Sequence, residues 1–110
     1  MKHAIALLVF AAFVMAQTPH SVTLTWSDSL NPPGTTYSVY RAAGLCSGTP
    51  TFAKLASALS VMTYQDATVT PGNYCYETTA TVNGMESAPS ATAGAPVPSF
   101  PPQALSVVVK

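Results

Sequence analysis

Pro71-Gly72-Asn73-Tyr74-Cys75-Tyr76-Glu77-Thr78-Thr79-Ala80 places one cysteine between two tyrosines, straight after a Pro-Gly turn signal. Tyrosine and threonine fit a pleated, half-buried surface, so the run reads as a strand. Successive side chains on a strand alternate faces. Tyr74 and Tyr76 therefore share one face and Cys75 takes the other. Any fold for this chain has to give the thiol a reason to face away from the rings.

Outward from this run, turns and short alternating segments follow one another. Asn83-Gly84 is the favoured two-residue hairpin signal and returns the chain into a strand near Ser87–Ala95. Upstream, Ser21–Ser27 alternates strictly, with Val22, Leu24 and Trp26 on one face and Thr23, Thr25 and Ser27 on the other. Asp28–Thr35 is turn chemistry, since Pro32 and Pro33 block helix and central strand while Gly34 relaxes the backbone. Thr36–Ala42 alternates again, Tyr37 and Val39 inward and Ser38 and Tyr40 outward. A loop over 43–50 carries Cys46. Residues 51–56 make a short, weakly patterned strand, and 61–67 set Met62 and Tyr64 on one face. No helix of normal length fits after residue 16. Short strands separated by turns roughly every eight to twelve residues predict an all-β, antiparallel sandwich.

The two ends differ from this middle. Lys2 precedes an apolar run, Ala4–Val14, of signal-peptide length and too short to span a bilayer comfortably. Val14 and Ala16 put small residues where a signal peptidase reads them, so residues 1–16 are expected to be a leader cleaved before Gln17. Residues 17–96 then form the domain, 97–102 a stiff Pro-rich linker, and 103–110 a strand-like tail. After the leader the bases are Arg41, Lys54 and Lys110, and the acids Asp28, Asp66, Glu77 and Glu86. So sparse and balanced a set gives no electrostatic footprint for nucleic acid or, once the leader is gone, for a membrane.

On these features the chain resembles a fibronectin type III domain from Ser21 to about Pro96. Trp26 ends the first alternating strand, as the core tryptophan of that family does. Tyr37-Ser38-Val39-Tyr40-Arg41 is similar to its strand C, and Thr70–Thr81 to the turn into strand F, with Tyr74 in the tyrosine-corner position. Asn83–Ser90 is similar to the F–G hairpin of versions found in secreted bacterial and phage proteins. The resemblance implies an immunoglobulin-like sandwich with Trp26, Tyr37, Val39, Tyr64, Tyr74 and Tyr76 in the core. It also exposes a departure. The family's strand A lies beside strand B, yet only Gln17-Thr18-Pro19-His20 separates the expected cleavage site from Ser21, so strand A is missing from its usual place.

With Tyr74 and Tyr76 inward, Cys75 faces outward on strand F. Cys46 follows strand C, which neighbours strand F in this family. In an exported chain with two cysteines, a Cys46–Cys75 disulfide is the expected pairing. Two sulfurs without a neighbouring histidine make a poor zinc site, and their spacing is not that of a redox motif.

Little in the chain points to catalysis. His20 sits beside Pro19 at a strand end, Asp28 and Asp66 suit turn hydrogen bonds, Glu77 projects from the outer face and Glu86 lies in a loop. No acid, base and nucleophile set assembles, no phosphate-binding glycine loop is present, and neither metal nor cofactor is expected. Tyr40 and Phe52 on an outer sheet face, and Phe100 in the linker, are candidate contacts for a protein or a sugar. Leu105, Val107 and Val109 fall on one face of the tail, which has the composition to fill the slot of a missing strand. The expected function is a non-catalytic interaction or structural module at a cell or virion surface, in the periplasm or in the medium. A protein partner or self-association through the C-terminal strand fits it best. The alternative is a small secreted carbohydrate-binding protein.

Overall fold

Alternation along Thr36–Ala42 and along Tyr74–Ala80 demands a sheet with one face covered by a second layer. The computed structural model describes residues 18–109, and the leader expected over 1–16 lies outside them. The regular structure of the described residues is seven strands and no helix: β1 (Val22–Thr25), β2 (Thr36–Ala43), β3 (Ala53–Leu59), β4 (Thr63–Asp66), β5 (Gly72–Val82), β6 (Met85–Glu86) and β7 (Ala93–Val97). β1 and β4 make a two-stranded sheet. The larger sheet runs β3–β2–β5, and β5 takes β6 and β7 one after the other along its far side. All pairings are antiparallel.

Register follows from parity and from one turn. Asn83 and Gly84 both take positive φ, 51° and 78°, the type I′ geometry whose twist matches a hairpin. Tyr37, Val39 and Arg41 of β2 sit opposite Ala80, Thr78 and Tyr76 of β5, so these residues share the face turned toward β1 and β4. Tyr37, Val39, Val69, Tyr76 and Val97 are buried there. The Trp26 ring meets the Tyr37 ring edge-on at 5.7 Å. Each fully buried side chain of this size is worth roughly 1.5–3 kcal/mol.

Three of the expected core residues are only half-buried: Trp26, Tyr64 and Tyr74. Trp26 directly follows β1 and Tyr64 lies in β4, and these two strands make a sheet too narrow to seal its own inner face. Tyr74 lies at a sheet end, where its hydroxyl accepts the Thr70 N–H at 3.1 Å and spans the turn into β5. Residues 19–98 form one compact unit. Residues 103–109, expected to be strand-like, belong to no strand, and Ala104 takes a left-handed φ of 58°. β-propensity reflects fit to a neighbour. A segment without a ladder partner has none to fit, and a left-handed residue interrupts any extended run.

Candidate functional site

The small sheet has two strands and so two unpaired outer edges among the described residues, and the β1 edge is the one beside a groove. The Trp26 N–H donates to the Met62 carbonyl at 3.1 Å, and Leu24 and Val22 continue that register against Tyr64 and Asp66. Backbone groups alternate sides along a strand, so the N–H and C=O groups of Thr23 and Thr25 point away from β4. Among the described residues no strand pairs with them. Beneath this edge lies a groove of about 540 Å³, floored by Leu24, Trp26, Tyr37 and Tyr76 and walled on the far side by Ala80, Ala88, Ala91 and Ala93. Alanines along that wall leave room that larger side chains would fill. Leu30, 93% exposed, stands at the rim, and the Trp26 Nε1–H is buried without an acceptor.

Both edges of the larger sheet are irregular. β3 carries register shifts opposite Tyr37, Val39 and Tyr40, and Ala58 takes φ of 56°. Extra residues of this kind bend an edge strand out of reach. Between β6 and β7 the chain leaves the ladder, and two serines hold it to β5. Ser87 donates its N–H to the Ala80 carbonyl while its Oγ accepts the Ala80 N–H; Ser90 does the same with Thr78. Three residues on this side thus span two on β5, and Pro89 between the serines has no N–H to offer. The β1 edge has no charge, proline or bulge.

The inner face also carries an ion pair whose acid is buried and whose base is half-buried. Asp66, 1% exposed, accepts from Arg41 Nη1 at 2.8 Å, Tyr76 Oη at 2.7 Å, Thr68 N at 3.0 Å and Thr68 Oγ1 at 2.7 Å. Burial alone would raise the Asp66 pKa, but the bonds from Thr68, Tyr76 and Arg41 outweigh it and bring it from 3.8 down to about 2. The same burial, then the hydrogen bond to Asp66, pushes the Tyr76 hydroxyl well above its ordinary value. Four donors saturate a carboxylate, so Asp66 fastens β4 to β2 and β5 and has no lone pair left for proton transfer. The Arg41 guanidinium stacks 5.2 Å above the Tyr74 ring. Asp28 is similarly occupied: Asn31, then Tyr37, bond its carboxylate and lower its pKa from 3.8 to about 2.

Cys46 and Cys75 are joined, with their Cα atoms 5.2 Å apart. Cys75 and its partner Ala42 lie on the outer face, yet both are buried; the thiol faces away from the aromatic rings and is bonded to the Cys46 loop. Tyr40 is half-buried on that face, with Lys54 Nζ 5.7 Å from its ring centre and its hydroxyl bonded to Glu86. Thr79 and then Tyr40 lower the Glu86 pKa by hydrogen bonding. Phe52 and His20 are half-buried, and Phe100 is exposed. Leu105, Val107 and Val109 are 90%, 76% and 89% exposed. The described residues hold no group of three or more histidine, cysteine, aspartate or glutamate side chains able to share a metal ion.

Sequence reasoning missed the Arg41–Asp66–Tyr76 cluster and the serine-held wall. The first had a signal, since the parity that turns Tyr37 and Val39 inward turns Arg41 inward too, and an inward cation needs an acid. Compared with protein-family models and with curated proteins, the chain matches none.

Proposed function

We propose that this chain is an exported, non-catalytic interaction module, a β-sandwich of fibronectin type III type without its first strand, which binds an extended protein segment beside β1. The observation that carries this reading is the coincidence of unpaired Thr23 and Thr25 backbone groups with an apolar groove under the same edge. Strand addition uses both: main-chain bonds supply affinity and alternate side chains enter pockets. The edges of the larger sheet are interrupted by bulges, serines and Pro89, and of the small sheet's two edges only the β1 edge borders the groove among the described residues. The tyrosine-corner bond from Thr70 to Tyr74 and the position of Trp26 support the family likeness. The leader-like N-terminus and the disulfide support export. Sugar binding on the outer face would have to displace Lys54 from the Tyr40 ring.

The test is titration of the exported protein with a seven-residue peptide alternating leucine or valine with threonine, read by Trp26 fluorescence. Binding should shift the emission, and Leu24→Asp should abolish the shift. Unchanged emission up to millimolar peptide rejects the reading.

A further inference from the structure

The geometry points to one occupant for this groove: residues 103–109 of a second copy of the chain. The inference rests on the strand-binding reading above and names the strand. An added strand must be extended, alternating, free of buried charge and long enough to meet Thr23 and Thr25. Leu105, Val107 and Val109 share one parity, and the segment between Gln103 and Val109 contains no charged residue. These side chains, with Val108, are 76–90% exposed, an apolar row that water penalises by roughly 25 cal/mol per Å² until something covers it. Five extended residues from Leu105 to Val109 span about 16 Å, against about 13 Å for the four residues of β1. Three side chains of one parity would then enter the space left by Ala80, Ala88, Ala91 and Ala93. Ser106 and Val108 would lie on the outer side beside Thr23 and Thr25.

Pro98, Pro101 and Pro102 make the connection semi-rigid. A stiff arm disfavours the sharp reversal that a return to the same chain's β1 would require, and favours delivery to another molecule. Each copy then offers one tail and one edge. Such a contact is heterologous, and it builds open-ended assemblies unless the geometry closes a ring.

The test uses the exported full chain, its N-terminus fixed by intact mass, in light scattering across a thousandfold concentration range. Two variants accompany it. Val107→Asp places a charge in the row that enters the groove. Thr25→Pro removes an N–H that points to the open edge and takes no part in pairing with β4, a position where an edge strand tolerates proline. Wild type should gain mass with concentration, and each variant should weaken association at least tenfold while keeping the far-ultraviolet spectrum of the folded protein. A wild type monomeric throughout, or association that neither variant weakens, overturns the inference. So does a monomer destabilised by Val107→Asp, since the tail would then serve its own molecule. The peptide titration separates this failure from failure of the broader reading: a groove that binds the alternating peptide in a non-associating chain keeps the function and loses the occupant.

Discussion

Replacing Asp66 by asparagine keeps the shape of the side chain and removes its charge from a site bonded to Arg41, Tyr76 and Thr68. The folded pKa of about 2 lies below the ordinary 3.8, so the carboxylate stabilises the fold above the unfolded value and ceases to as pH falls through the folded one. The difference corresponds to about 2 kcal/mol, at roughly 1.4 kcal/mol per pH unit. That contribution should be complete above about pH 5, about half present near pH 3 and nearly gone at pH 2. Asp28 titrates in the same window, so the wild-type profile alone is ambiguous. The informative quantity is the gap between wild type and Asp66→Asn, measured by urea unfolding at steps from pH 2 to pH 7. Changes in neutral hydrogen bonding shift that gap by a constant, whereas the charge makes it narrow by about 2 kcal/mol on acidification. A gap of constant width would refute the assignment of the depressed pKa to this cluster.

Four further outcomes follow from the disulfide and the packing. Cys75→Ser should cost about 3–4 kcal/mol by loop-closure entropy for a bridge spanning 29 residues, and chemical unfolding showing less than 1 kcal/mol would contradict it. Alkylation of the wild-type chain without reductant should add no mass, because both thiols are bonded. Trp26→Ala removes a half-buried ring from Tyr37 and should cost about 2 kcal/mol, below the usual range for a sealed core aromatic; a cost near 5 kcal/mol would mean that the ring is covered on all sides. Tyr74→Phe deletes the acceptor of the Thr70 N–H and should cost about 1 kcal/mol, with faster hydrogen exchange at the Thr70 amide as its local signature.

Strand positions were legible wherever period-two alternation was strict, as along Val22–Trp26 and Tyr37–Tyr40, because burial on one face fixes parity. Asn83-Gly84 was legible because few residue pairs accept two consecutive positive φ values. The bulges of β3 were not, since Ala58 adopts φ of 56° under tertiary constraint and nothing in alanine marks it. That no strand precedes β1 among the described residues agrees with the four residues counted between the expected cleavage site and Ser21. The groove beside β1 was not legible, because its volume depends on alanines at 80, 88, 91 and 93, which belong to segments brought together only by the sheet. The tail's composition was legible and its conformation was not, because propensity fixes a strand only where a neighbour completes it.

The serine-held wall has a mechanical consequence. Along β5 most backbone groups answer other backbone groups, which move together as one ladder. At Ala80 and Thr78 the acceptors are the hydroxyls of Ser87 and Ser90, each on a rotatable side chain and each also donating to the next residue's carbonyl. A hydroxyl can swing or hand its partner to water at little cost, while β6 and β7 stay clamped on either side. The groove is therefore flanked by one stiff rail, β1 fastened to β4, and one compliant rail carrying a residue of slack. A strand bound there, as proposed, would meet a jaw able to adjust its gap to a leucine at one position and a valine at the next without unzipping either sheet.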